Sequence, residues 1–267
     1  MSLPPARLRA ASGLACAVAV LLTASGCLAK DPGRAAAPAS ARPPAKPPAP
    51  AGTSALTAAQ AQAALITVDD LGVPWEQTQG AATWRDGLLK AVTDEPDCQR
   101  LLEALYTDEL LGDATGMHAV TALDDGDEGA QLRYQVATRG PADVDRTLSW
   151  LNGLPEKCSE FTAATTAAGT QDVQVSEIDL PQVGDARQGL RITLTGEAAT
   201  DSESESESEE AESSVLTLDV AAVRVGKDTI VLSNGSLGDV SADATSQALE
   251  LGAQRLTQVR QDGRVQA

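Results

Sequence analysis

The chain has 267 residues, of which 42% are hydrophobic, and it carries a formal net charge of −18. That length predicts one folded domain with a real core. The acidic excess argues against nucleic acid as a partner, because neutralising phosphates requires Lys and Arg. Only 2% of the residues are aromatic, so we expect an aliphatic core and few aromatic recognition anchors.

Residues 1–26 have the pattern of a lipoprotein signal peptide. Arg7 and Arg9 supply positive charge, and a run of small and apolar residues then continues to Ala24. This run is shorter than the roughly 20 apolar residues that span a bilayer, which favours a signal over a transmembrane helix.

The segment Leu22 to Cys27 resembles a bacterial lipobox. The resemblance implies that the Cys27 thiol takes a diacylglyceryl group, whose two acyl chains (palmitate, for example) suffice for stable anchoring. The segment departs from the family pattern at Ala24, where leucine is preferred. The alternative is ordinary secretion, with cleavage nearby and no lipid. We therefore predict a chain anchored to the lipid bilayer on the extracytoplasmic face of the cell membrane.

Residues 27–54 are expected to form a linker rich in Pro and Ala. Half of the fourteen prolines fall between Pro32 and Pro50. Such a stretch cannot pack a core and predicts a disordered, semi-extended tether. Its basic residues would gain modest attraction to an anionic membrane surface, and a plain solvated stalk is an equal alternative.

Two cysteines are left after the signal peptide and the lipid account for Cys16 and Cys27. Cys98 and Cys158 are then a single pair in an oxidising compartment, which predicts a disulfide. Leu101, Leu102 and Leu105 follow Cys98 at the spacing of one helix face, so this face is expected to point inward.

The folded domain is predicted to span residues 55–265 and to be α+β, with a mainly antiparallel sheet and helices packed on one face. Apolar alternation and turn signals predict a hairpin of strands at 117–123 and 132–136, and later strands at 171–180, 188–196, 215–225 and 229–236. Helices are expected around Cys98, after Pro141 and at 242–260. Residues 200–214, with seven acids between 201 and 212, predict an acidic disordered loop.

The folded part resembles the PknH-like extracellular sensor domain family of actinobacterial kinases and lipoproteins. The resemblance rests on four segments: Ala64 to Gly72, Leu148 to Phe161, Leu180 to Arg187, and Val223 to Val231. It implies a sheet with helices framing a cleft that senses an extracellular ligand, and it implies no catalytic activity. Family members commonly have a second disulfide, which this chain cannot form.

Candidate site residues are few. Trp75 and Trp84 are the candidate ligand contacts, against the alternative that both are partly buried core. His118 lacks the sequence context of a catalytic histidine, and the acids at 124–128 favour a hairpin turn over a calcium site. We assign no catalytic residue, no metal and no cofactor.

Two functions remain open from the sequence. The first is a membrane-anchored sensor or binding lipoprotein that holds an unknown small ligand in a cleft. The second is a protein–protein interaction module that docks an envelope or membrane protein without a small ligand. A deep cavity with convergent polar groups would favour the first, and a flat exposed apolar patch would favour the second.

Overall fold

The computed structural model describes residues 55–197 and 213–265. Within them, eight strands form one antiparallel sheet in the order β1-β2-β3-β8-β7-β6-β5-β4. The strands are β1 (Trp75–Gln77), β2 (His118–Asp125), β3 (Ala130–Thr138), β4 (Glu160–Thr165), β5 (Gly169–Glu177), β6 (Ala186–Glu197), β7 (Ser213–Val225) and β8 (Asp228–Leu237). The helices are α1 (Ala58–Ala63), α2 (Val68–Leu71), α3 (Pro96–Thr107), α4 (Pro141–Asn152), α5 (Leu154–Lys157) and α6 (Ala242–Val265), with a π-helical turn at Arg85–Leu89.

Each face of the sheet has its own apolar core, because successive side chains of a strand point to opposite sides. Along β7, Leu218 and Val220 belong to one core, whereas Ala221 and Val223 belong to the other. We call these sides the first and the second face. Helices α3, α4 and α5 cover the first face, and α1, α2 and α6 pack on the second.

The α+β class and the antiparallel sheet are confirmed. The helices, expected on one face, lie on both faces over β3, β8 and β7. These central strands are apolar on both sides, so each side needs a cover: β8 is buried at almost every position. The outer strands are covered on one face only. In β5, for example, buried Val173 alternates with exposed Asp172 and Gln174.

We call the two ends of the sheet, taken along the strand direction, the near end and the far end. The described chain begins at the near end, where the Leu56 amide donates to Thr138 Oγ1 over 3.3 Å. The far end holds the β2–β3 hairpin and the strand ends Glu197 and Ser213, which flank the acidic tract. The 13 residues of β7 run between these ends, a length of about 40 Å at the rise of a β-strand.

Several predictions lie outside the described residues. They are the signal peptide, lipidation at Cys27, the linker to residue 54 and most of the acidic loop. That loop was expected to reach residue 214, but Ser213 and Ser214 pair with Glu197 and Gly196, so β7 begins two residues earlier. Across the described part of the chain, no helix combines the length and hydropathy needed to cross a bilayer.

The predicted disulfide between Cys98 and Cys158 is confirmed, with Cα atoms 5.7 Å apart. Cys98 lies on the inward face of α3 with Leu101, Leu102 and Leu105, all of them buried as expected. Cys158 directly follows α5 and is also buried in the first-face core. The bond therefore fastens α3 to the segment that leads into β4.

Candidate functional site

A cleft of about 450 Å³ opens at the far end of the sheet. One wall is the segment 80–84, and the other is the β2–β3 hairpin with Asp124, Asp125 and Glu128. Leu237, the last residue of β8, also lines it and is 54% exposed. Small-molecule sites typically occupy about 300–1,000 Å³. We call this cavity the far-end cleft.

The side chain of Gln131 holds the two walls together. Its Oε1 accepts a hydrogen bond from the Ala82 amide over 3.1 Å. Its Nε2 lies 2.9 Å from the Gly80 carbonyl, 3.1 Å from Thr78 Oγ1 and 2.8 Å from Asp124 Oδ1. Gln131 is almost fully buried, and buried side-chain bonds of this kind fix geometry. It therefore sets the width of the cleft and the orientation of Asp124.

Trp84 packs its indole against the sheet and has one buried, unpaired donor. Its indole lies against Gly235 of β8, where an added Cβ would stand 2.9 Å from Cη2. Glycine inside a strand often marks such a close approach. Trp84 is 7% exposed, and its Nε1 meets no acceptor among the residues that the structure describes. Buried donors are nearly always paired, so this indole N–H is an exception within the described chain.

The π-helical turn at Arg85–Leu89 begins directly after Trp84. Such turns are rare and occur frequently at functional sites. Here the turn buries Leu88 and Leu89 in the first-face core, which anchors the wall that carries the indole.

Three acidic residues belong to the hairpin wall. Asp125 is 6% exposed, and its Oδ1 accepts from the amides of Asp127 and Glu128 over 2.9 and 3.1 Å. The Ser236 hydroxyl donates to the Glu128 carbonyl over 2.9 Å and ties the hairpin to β8. Among the ion pairs of the described chain, none includes Asp124, Asp125 or Glu128.

The arginines nearest in sequence to the walls of the cleft form ion pairs with a different acid. Arg85 and Arg133 each lie 3.0 Å from a carboxylate oxygen of Asp108, just beyond α3. Arg85 also donates to the Tyr106 carbonyl over 3.0 Å. Because both guanidinium groups share one acid, the negative charge of the cleft stays uncompensated by these two cations. A cleft walled by one sign of charge concentrates the oppositely charged solute.

The two tryptophans predicted as ligand contacts lie in different parts of the structure. Trp84 lines the far-end cleft. Trp75 starts β1, directly opposite Asp125, and packs into the core of the second face. The third tryptophan, Trp150, donates to Asp97 over 3.1 Å and stacks under Arg100 at 3.9 Å, far from the hairpin in sequence.

His118 lies away from this cleft. His118 is exposed at the start of β2, so the eight residues of that strand separate it from the cleft. Within the ranges 55–197 and 213–265, no three His, Cys, Asp or Glu side chains are grouped to hold a metal ion. The hairpin acids form a turn, as the sequence suggested, through the Asp125 cap on Asp127 and Glu128.

A second cavity, of about 240 Å³, lies at the near end between the β7–β8 turn and α6. Its buried acid, Asp228, accepts from Arg260 Nη2 over 2.6 Å and from Thr138 Oγ1 over 2.7 Å. These contacts join β3, β8 and α6, so the charge here serves to hold α6 on the sheet.

Sequence reasoning missed Gln131 and Gly235. Gln131 reads as an ordinary polar position in an alternating strand, and its partners lie about fifty residues earlier in the chain. Gly235 carried a usable signal, since a glycine inside an otherwise apolar strand suggests a bulge or a close approach.

Comparisons with known proteins give no family. No family model matches the chain, and no curated protein matches it. Among solved structures, the chain is similar to the extracellular domain of PknH from Mycobacterium tuberculosis, with 13% sequence identity and a TM-score of 0.43. That similarity covers 79% of this chain and 100% of that domain. A likeness of this degree assigns neither function nor ligand, and membership of the sensor-domain family stays a prediction.

Proposed function

We propose that this chain is an extracytoplasmic lipoprotein, anchored through Cys27, whose non-catalytic domain binds a small ligand in the far-end cleft. The observation that carries the proposal is the composition of that cleft. One cavity of about 450 Å³ is lined by Trp84, by Gln131 and by three acidic residues that take part in none of the ion pairs of the described chain. Few polar groups converging in a cleft are typical of ligand sites.

The alternative, an interaction module, would need a contiguous exposed apolar patch. The large exposed apolar side chains of the far end are Val73, Val92 and Leu237. Val73 lies two residues before β1, Val92 bridges to β4 and Leu237 ends β8, and these strands are at least three strands apart in the sheet. At the usual spacing between strands this is about 14 Å or more, so they form no single patch.

The test is a nuclear magnetic resonance experiment on the full ¹⁵N-labelled chain in detergent. The chain has three tryptophans, hence three indole N–H signals, and Trp84→Phe identifies the signal of Trp84. A small-molecule library of mixed charge should contain members that shift the Trp84 signal saturably and leave Trp75 and Trp150 unchanged. If no member moves that signal, while crosslinking in cells captures a reproducible protein partner, the interaction module is the function.

A further inference from the structure

Arg139, which directly follows β3 at the near end of the sheet, is an arginine inside the fold that pairs with no acid of the described chain. We infer that Arg139 is the centre of a binding site for a small oxyanion, a group of the phosphate, sulfate or carboxylate type. This site lies at the opposite end of the sheet from the far-end cleft and is independent of the function proposed above.

The protein holds the Arg139 side chain in a fixed position. Arg139 is 6% exposed. Its Nε donates to the Gly112 carbonyl over 3.2 Å, and its Nη1 donates to Thr229 Oγ1 over 2.6 Å. Its backbone amide donates to the Lys227 carbonyl over 3.1 Å. The guanidinium therefore lies between the loop that follows α3 and the start of β8, and it is oriented before any ligand arrives.

The guanidinium of Arg139 keeps three N–H donors for a ligand. An arginine side chain has five N–H donors and no acceptor, and the described chain accepts from two of them, on Nε and Nη1. One donor on Nη1 and both donors on Nη2 are left. Nη2 is not among the buried polar atoms of the described chain that lack a partner, so it is in contact with solvent. The free donors on Nη2 are therefore accessible to a solute.

The charge of Arg139 has no counter-ion at ion-pair distance. None of the ion pairs of the described chain includes this residue. Burial lowers the pKa of the Arg139 guanidinium, because desolvation disfavours its charged form, and the charge of the exposed Asp113 offsets only part of that effect. Buried charges in proteins are normally paired. An anion at Nη2 would supply the missing counter-charge.

The free donors of Arg139 favour an oxyanion over a halide. The guanidinium is planar, and its N–H groups match the spacing of the oxygens in carboxylate and phosphate groups. Such an anion accepts from more than one N–H through separate oxygen atoms, whereas chloride offers one acceptor atom. Asp113 is the like charge that an anion would meet here, and it opposes binding of either kind of anion.

A titration of the full ¹⁵N-labelled chain in detergent, read at the Nε–H signal of Arg139, tests the site. Arg139→Lys identifies that signal. The probes are sodium phosphate, sodium sulfate and sodium acetate, and sodium chloride at equal ionic strength is the reference, because the screening of charges depends on ionic strength. At least one oxyanion should shift the signal saturably and bind at least tenfold more tightly than chloride. The Trp84 indole signal should stay unchanged.

Variants locate the effect at Arg139. The oxyanion that binds most tightly should raise the melting temperature of the wild type saturably, and Arg139→Gln should remove that saturable part. The general stabilisation that sulfate and phosphate give to any protein should remain in the variant. Arg146→Gln is the matched control and should keep the full response, because the Arg146 side chain is 76% exposed and pairs with Asp143. Asp113→Asn removes a like charge and should tighten binding at least twofold.

Three results would each overturn the oxyanion site. The first is the lack of a saturable shift at the Arg139 Nε–H signal with any of the three oxyanions, and the second is an equal shift with chloride. The third is an equal melting response of the wild type and Arg139→Gln. If Arg139→Gln does not fold, the wild-type titration and Asp113→Asn decide, and binding that Asp113→Asn weakens would overturn the site. All of these results leave the far-end cleft untouched.

Discussion

Tyr134 on β3 and Gly252 on α6 are in direct contact, and the tyrosine hydroxyl occupies the space that a Cβ on residue 252 would need. Tyr134 is fully buried in the second-face core. Its hydroxyl has no hydrogen-bond partner among the described residues, and burial raises the pKa of this phenol far above its usual range. The absence of a side chain at residue 252 thus lets α6 lie close against the sheet.

This contact predicts that Gly252→Ala lowers the free energy of unfolding by about 1–3 kcal/mol, the usual cost of overpacking. Higher helix propensity of alanine would offset up to about 1 kcal/mol. Tyr134→Phe removes an unpaired buried hydroxyl and should leave stability unchanged or slightly raised. Denaturant unfolding of both variants and of the double variant measures the coupling. Phenylalanine should restore only part of the stability of the alanine variant, because the ring atoms Cζ and Cε2 would still stand 2.6 and 2.8 Å from the added Cβ. Strictly additive effects of the two substitutions would contradict the steric account.

The disulfide predicts a large loss on its removal. Cys98 and Cys158 are 60 residues apart, and closing a loop of that length contributes about 4 kcal/mol in the chain-entropy model. Cys158→Ala should therefore reduce the free energy of unfolding by about 2–5 kcal/mol. The control is wild-type protein under reducing conditions, whose stability should approach that of the variant. Equal stability of oxidised wild type and variant would contradict the prediction.

Anchoring predicts a change of location when Cys27 is replaced. Cys27→Ala should block lipidation, so the chain should leave the membrane fraction or accumulate unprocessed. Fractionation and intact-mass measurement of both forms check this. Cys16→Ala is the matched control, since that residue lies inside the predicted signal peptide, residues 1–26. A mature, membrane-bound Cys27→Ala protein would rule out the lipid anchor.

Replacement of the acidic tract 201–212 by a Gly-Ser linker should change the melting temperature little. Strands β6 and β7 are already paired at Glu197 and Ser213, and the entropy of loop closure depends weakly on length. Thermal unfolding of the two chains gives the comparison. A drop of more than about 5 °C, equivalent to more than 1 kcal/mol in a domain of this size, would mean that the tract contributes to the fold.

Much of the fold could be predicted because its signals are local. The inward face of α3 follows from four residues at helical spacing, and all four are buried. The β2–β3 hairpin and the last four strands follow from apolar alternation broken by turn residues. In contrast, β1 has three residues and depends on pairing with β2, more than forty residues later. The apolar alternation of β4 spans only six residues after α5, too few to distinguish from a loop.

The residues that form the cleft could not be predicted, because they come together only when the sheet forms. Trp84 meets Gly235 across some 150 residues of chain, and Gln131 joins segments that no periodicity links. The sequence named Trp75 and Trp84 as candidate ligand contacts, and their role in binding stays a prediction. The sequence could not show that Trp84 and Trp75 are buried on opposite faces of the sheet, because that depends on strand register.

The most direct measurement of the central claim is photocrosslinking at the cleft in living cells. A p-benzoylphenylalanine at position 237, which lines the cleft and is exposed, would report what occupies it. Met117, exposed at the near end, is the control position. The account predicts a small-molecule adduct at position 237, lost when Asp124 and Asp125 are changed to Asn and absent at position 117. An adduct at position 237 consisting only of another protein would contradict a ligand-binding cleft.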